Sequence, residues 1–151
     1  MSNVRFIGLD VHKDSIVMSV AETGTAEAKV LGTFPNDINK VIKQFKKLSA
    51  DVSLLRVCYE AGPTGFGLYR RLKEAGIDCI VVAPSLVPQK AGLRVKTDRR
   101  DSKKLAHYLR SGDLTQVWVP DEQTEALRDL ERARDDANNA ERTARHQLSK
   151  F

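Results

Sequence analysis

The sequence is poor in the features that mark exported, membrane-bound or cross-linked proteins. It has two cysteines in 151 residues, Cys58 and Cys79. Two thiols cannot build a disulfide framework or a four-ligand zinc site, and both read as reduced strand residues of a cytoplasmic protein. There is no run of about 18 apolar residues, which excludes a membrane-spanning helix. The opening residues Met1-Ser2-Asn3-Val4-Arg5 are not followed by an apolar signal segment, so export by that route is not expected. Gly62-Pro63-Thr64-Gly65-Phe66-Gly67 is rich in glycine but lacks the Gly-Lys-Ser/Thr ending of a phosphate loop. No zinc finger and no DNA-recognition helix can be traced.

What is present is a moderately apolar, highly charged chain. Apolar residues make up 41% and charged residues 30%, enough for a buried core and against wholesale disorder. The length suits one ordinary domain with an appendage. The net charge of +5 is uneven: residues 85–120 carry eight basic against three acidic side chains, whereas residues 121–151 carry six against eight. A local basic excess points to a polyanionic partner.

The first third reads as three strands, Arg5 to Val11, Ser15 to Ala21 and Ala28 to Phe34. Links this short cannot hold crossover helices, so the three form an antiparallel meander. The pattern then changes. Asn36 is a candidate cap for a helix with Ile38, Val41, Ile42, Phe45 and Leu48 on one face and lysines on the other. A strand from Leu54 to Glu60, a helix capped by Thr64 and ended by Gly76, and a strand from Asp78 to Val82 follow. Strand–helix–strand–helix–strand implies parallel pairing with right-handed crossovers. The expected fold is α/β: a ribonuclease-H-like mixed five-stranded sheet with its first strand near the centre. A further helix spans Asp98 to Arg110, with Leu105, Ala106 and Leu109 as its apolar face.

Residues 1–120 form the expected domain, and residues 121–151 differ in kind. From Glu122 to Phe151 there is neither glycine nor proline. Positions 126, 130, 133, 137, 140, 144, 147 and 151 step by alternating four and three, and all but Gln147 are apolar. This is a heptad seam, mostly of alanine, suited to close helix–helix contact. It predicts a homo-oligomer through this helix. The pattern continues to the last residue, which reads as a coiled-coil helix cut short.

Four carboxylates stand out by position. Asp10 and Glu60 end the first and fourth strands, which the topology makes parallel neighbours about 4.8 Å apart. Asp98 and Asp101 are three apart at the start of a helix and share a face. Two carboxylates 5 Å apart repel by roughly 3 kcal/mol at an effective dielectric of 20. A pair of divalent cations about 3.5–4 Å apart would cancel that charge, and an all-oxygen ligand set favours Mg2+ or Mn2+. Each acid also has an ordinary structural alternative: a strand end, a turn, a helix N-terminus, or for Asp101 a pair with Lys103 or Lys104. His12, beside Asp10, is placed to assist a metal or a phosphate, although a turn histidine is the ordinary case. Arg94, Lys96, Arg99, Arg100, Lys103 and Lys104 surround the Asp98/Asp101 pair. Basic groups around acidic metal ligands suit a nucleic acid, held by its phosphates without sequence reading.

Three segments together, residues 7–14 (Ile-Gly-Leu-Asp-Val-His-Lys-Asp), 59–65 (Tyr-Glu-Ala-Gly-Pro-Thr-Gly) and 96–106 (Lys-Thr-Asp-Arg-Arg-Asp-Ser-Lys-Lys-Leu-Ala), resemble the N-terminal, RuvC-like domain of the DEDD insertion-sequence transposases. These are related to the Piv-type DNA invertases. The resemblance implies that Asp10, Glu60, Asp98 and Asp101 are the family's four metal-binding acids. It implies metal-dependent DNA cleavage and strand exchange, and in many members guidance by an RNA encoded in the element. It also implies a coiled coil leading to a second domain that carries a nucleophilic serine, to which nothing here corresponds. The fragment alone is therefore expected to be inactive in strand exchange. Ser102 departs from the family, where alanine is commoner. Two other readings compete. One is a non-catalytic nucleic-acid-binding and dimerisation module. The other is a sugar kinase or ATPase suggested by Gly8-Leu9-Asp10, which is disfavoured because Val11, His12 and Lys13 follow where those proteins place glycines.

Overall fold

The computed structural model describes residues 3–88 and 97–151. The chain divides into two compact units, Met1–Val117 and Trp118–Phe151.

In the first unit, strands β1 (Arg5–Val11), β2 (Ser15–Glu22) and β3 (Lys29–Pro35) form the antiparallel meander. Helix α1 (Ile38–Leu48) crosses to β4 (Leu55–Glu60), and helix α2 (Gly67–Glu74) crosses to β5 (Asp78–Val82). Both β4 and β5 join in parallel, giving the sheet order β3-β2-β1-β4-β5 with β1 central. That mixed order is the ribonuclease-H-like arrangement expected from the sequence. Helix α3 (Asp98–Ser111) follows. Among the described residues no helix is long and apolar enough to cross a membrane.

Strand alternation assigns each residue to a face. One face carries Ile7 and Leu9 of β1, Val57 and Tyr59 of β4, and the helices α1 and α2, whose Val41, Phe45 and Leu72 are fully buried. Cys79 pairs with Val57, and Cys58 with Ile80, so the two thiols lie on opposite faces and cannot form a disulfide. Burial pushes the Cys79 thiol up to about 12 and that of Cys58 above the usual range. Both are inert core groups.

Two caps differ from expectation. The α1 cap is Asp37, whose carboxylate accepts from the Asn39 and Lys40 amides at 2.9 and 3.2 Å. Asn36 instead donates its side-chain amide to the carbonyls of His12 and Lys13 at 2.8 and 3.3 Å. Thr64 caps nothing, because α2 begins at Gly67 with no capping side chain of its own. Its orphan Tyr69 amide donates to the hydroxyl of Tyr59 on β4 at 3.2 Å. A buried phenol from a strand thus does the work of a local cap.

The second face takes α3. Gly8 pairs with Ser19 on one side and Cys58 on the other, a row of three small residues across the middle of the sheet. Ser102, Leu105 and Ala106 of α3 are buried, and a Cβ on Gly8 would collide with the Ser102 carbonyl oxygen and lie 2.5 Å from the Ala106 amide nitrogen. The helix therefore rests on the strand backbone. Ser102 has a partner that explains its departure from alanine: its hydroxyl meets that of Ser19 at 2.8 Å, both fully buried. The Ser102 hydroxyl also donates to the Arg99 carbonyl at 3.1 Å, so it is Ser19 that depends on the pair: a buried hydroxyl left without a partner costs about 1–3 kcal/mol.

The second unit is dominated by helix α4 (Glu122–Leu148), about 40 Å long at 1.5 Å per residue. Asp121 caps it through the Thr124 amide at 2.7 Å. Arg128 sits over the Trp118 ring at 5.3 Å, and Glu141 pairs with Arg145 at 2.6 Å. None of the helix's residues is buried: Leu130 is 67% exposed, and Phe151, just beyond the helix, is fully exposed.

Candidate metal centre

The seating of α3 on Gly8 determines what meets at the end of β1. Two residues beyond Gly8 on the same strand face comes Asp10, and His12 follows one residue past the end of β1. Glu60 holds the corresponding place on β4, one residue past the last β1–β4 pair, Leu9 with Tyr59. Thr97 caps α3 through the Arg100 amide, so Asp98 and Asp101 fall in the first turn. There the helix dipole favours negative charge.

Asp10, His12 and Asp98 offer donor atoms that all lie within 4.8 Å of one another. His12 Nε2 is 3.2 Å from Asp10 Oδ2 and 3.4 Å from Asp98 Oδ2. Asp98 is exposed, while Asp10, Glu60 and Asp101 are half-buried. Burial raises the Asp10 carboxyl above its ordinary value. The nearby His12 opposes the shift, and the charges of Asp98 and Asp101 add to it. A half-buried carboxylate facing two others is the environment a cation relieves. Donors bound to one octahedral ion at right angles lie roughly 3 Å apart when bonds are about 2.1–2.2 Å, so separations of 3.2 and 3.4 Å fit such an ion with little adjustment.

The structure thus places all four expected acids at one end of the sheet. It brings Asp10 and Asp98 into the tight group, with Asp101 near enough to act on Asp10 and Glu60 at the corresponding position of the neighbouring strand. His12 is drawn in more closely than the sequence suggested. The basic residues divide. Arg99 and Arg100 are exposed beside the acids. Lys103 does not pair with Asp101, because it reaches Glu27 on the β2–β3 link at 3.2 Å. Lys104 lies 6.0 Å from the Tyr108 ring. Arg94 and Lys96 lie outside the described residues.

The sequence comparisons agree with one another. The sequence model of the DEDD IS110 family, described as a transposase, matches residues 7–151. The chain is 48% identical over 147 residues to the putative transposase y4qE of Sinorhizobium fredii (strain NBRC 101917 / NGR234). It is 35% identical over 147 residues to the transposase for insertion sequence element IS1533 of Leptospira borgpetersenii. Each match takes in 97% of this chain but only 38% and 42% of the relatives; the chain spans about two fifths of their length. Among solved structures, Thermus thermophilus RuvC bound to a Holliday junction substrate aligns over 76% of this chain and 99% of its own. It does so with 12% identity and a TM-score of 0.46.

Proposed function

Since the chain belongs to the DEDD transposase family, we propose that it carries the acidic half of a composite recombinase site, acting on the phosphodiester backbone of mobile DNA with divalent metal ions. The observation that carries this reading is the convergence of Asp10 and Asp98 from β1 and α3, with donor atoms close enough to share one cation. Asp10, Glu60, Asp98 and Asp101 would hold two ions, Mg2+ or Mn2+. When bound, such ions neutralise phosphate charge and polarise the scissile phosphodiester.

The protein's own contribution is position. Gly8 brings α3 onto β1, so that acids 88 residues apart face one point. The half-buried floor of the site limits water around Asp10, which strengthens its hold on a cation. Arg99 and Arg100 stand where neighbouring phosphates of a strand would lie and would bind them without reading bases. The family resemblance supports guidance by an element-encoded RNA, and a cytoplasmic setting suits both nucleic acids. Strand exchange is expected to need a serine-bearing domain beyond the acidic half, so the 151 residues alone should not complete it.

Calorimetric titration with Mg2+ and with Mn2+ tests the site. Saturable binding of about two ions, lost in part or whole in Glu60→Gln, is expected. Binding that Glu60→Gln leaves unchanged would remove Glu60 from the site.

Residues 121–151 form the proposed coiled-coil arm, supported by the exposed heptad seam of α4. Because that seam is largely alanine, it favours close packing against an identical helix over burial of bulky side chains. Light scattering should report an oligomer for the full chain and a monomer for a chain ending at Pro120. The same number of subunits in the two would exclude α4 as the contact.

A further inference from the structure

We propose that His12 is itself a ligand, giving the cation a nitrogen donor between Asp10 and Asp98 and tilting the site toward Mn2+ over Mg2+. The inference rests on the reading of the acidic group as a cation site and adds a residue that the four-acid pattern does not contain. A single atom carries it: Nε2 is within hydrogen-bonding distance of one oxygen from each carboxylate, at 3.2 and 3.4 Å. An unprotonated nitrogen facing two carboxylates would be repelled by both. Without a cation, Nε2–H is therefore directed at Asp10 Oδ2, with Asp98 Oδ2 3.4 Å away. With a cation between the carboxylates, the same nitrogen presents its lone pair and the neutral ring carries its proton on Nδ1.

The position of the ring is determined by backbone as well as by charge. The His12 amide donates to the Ser15 carbonyl at 2.8 Å. Its carbonyl accepts from the Asn36 side chain at 2.8 Å. With these two bonds holding the link just past β1, the imidazole lies on the side on which α3 presents Asp98. The half-exposed ring can adjust without disturbing the core.

The donor set then has a consequence for the metal. Mg2+ is bound by oxygen and gives up water reluctantly; Mn2+ shares the preference for carboxylate oxygen but, as a first-row transition ion, accepts an imidazole nitrogen more readily than Mg2+ does. An O,N,O group should favour Mn2+ relative to a site of carboxylates alone. The competing role for His12 is a strut that only holds the two carboxylates together. A strut would support both metals equally, and a glutamine amide could replace it.

Pulsed electron paramagnetic resonance of Mn2+ bound to the full 151-residue chain separates the two. Wild type should show coupling of the bound Mn2+ to a directly coordinated 14N nucleus. His12→Ala and His12→Gln should both lose that coupling and bind Mn2+ at least about tenfold more weakly, since even outer-shell partners are worth about 10–100-fold, with Mg2+ affinity changed by less than about twofold. Bound Mn2+ without 14N coupling in wild type, or Mn2+ affinity restored by His12→Gln, would overturn the ligand role while leaving the carboxylate site standing. Failure of wild type to bind Mn2+ at all would overturn both.

Discussion

Gly8→Ala is expected to unseat helix α3, lowering the melting temperature by roughly 10 °C and weakening cation binding at least tenfold. The substitution is the smallest one available, yet the added methyl group has nowhere to go. It would collide with the Ser102 carbonyl oxygen and lie 2.5 Å from the Ala106 nitrogen and 2.8 Å from the Leu105 Cβ. The first two are helix backbone, which cannot rotate aside as a side chain would. Overpacking a tight core costs about 1–3 kcal/mol or more, and an obstruction made of backbone belongs at the upper end. For a protein of this size each kcal/mol corresponds to about 2–4 °C.

The binding loss follows from the same displacement. Asp98 and Asp101 ride on α3, whereas Asp10 stays on β1. Lifting the helix by even an ångström opens the 3.4 Å approach between His12 and Asp98. Gly67→Ala is the control: a Cβ there meets nothing within 4 Å, and in a helix alanine is favoured over glycine by up to about 1 kcal/mol. Its melting temperature should hold or rise, with cation affinity unchanged. A Gly8→Ala protein as stable as wild type would mean that α3 is not seated on the strand.

Much of this architecture is readable from local pattern, because strands of alternating burial separated by short polar links leave few alternatives. The first and fourth strands, Asp10 and Glu60 at their ends, and the face shared by Asp98 and Asp101 all follow from periods of two and of about three and a half. What escapes such reading is decided by partners far along the chain. Asn36 and Asp37 are equally good caps on paper. Asn36 is diverted because the β1–β2 link carrying His12 lies within its reach. Tyr59 caps a helix it precedes by eight residues, through a hydroxyl that looks like plain core from sequence. Lys103 leaves Asp101 for Glu27, 76 residues away. Ser102 looks like a neutral replacement for alanine until Ser19 is seen across the helix–sheet contact. Gly8 is the clearest case. In sequence it is one glycine in an apolar run, and its meaning exists only when α3 lies against it.

Asp10→Asn is expected to reverse the order of stability between the protein with and without cation. Asparagine is nearly the same size and can still accept the hydrogen bond from His12, so the geometry survives while the charge does not. In the cation-free protein the folded-state pKa of Asp10 is raised, chiefly by burial and further by Asp98 and Asp101, with His12 offsetting part of the effect. A raised carboxyl pKa means that the ionised form is less favourable in the folded than in the unfolded chain. Above the folded-state pKa the whole penalty is present; it fades as pH falls through that value toward the unfolded one. Without cation, Asp10→Asn should therefore melt above wild type near pH 7, with the gap closing in acid. Added Mn2+ acts in the opposite sense. At a hundred times its Kd a ligand stabilises by about 2.7 kcal/mol, which wild type gains and the variant does not. Losing a direct charged ligand should cost more than the roughly 10–100-fold typical of outer-shell changes. Thermal melts at pH 7, with and without Mn2+, should show the two proteins exchanging rank. If the variant melts lower in both conditions, Asp10 contributes to the fold and its charge is not held in reserve. If it gains as much from Mn2+ as wild type does, the cation does not sit on Asp10.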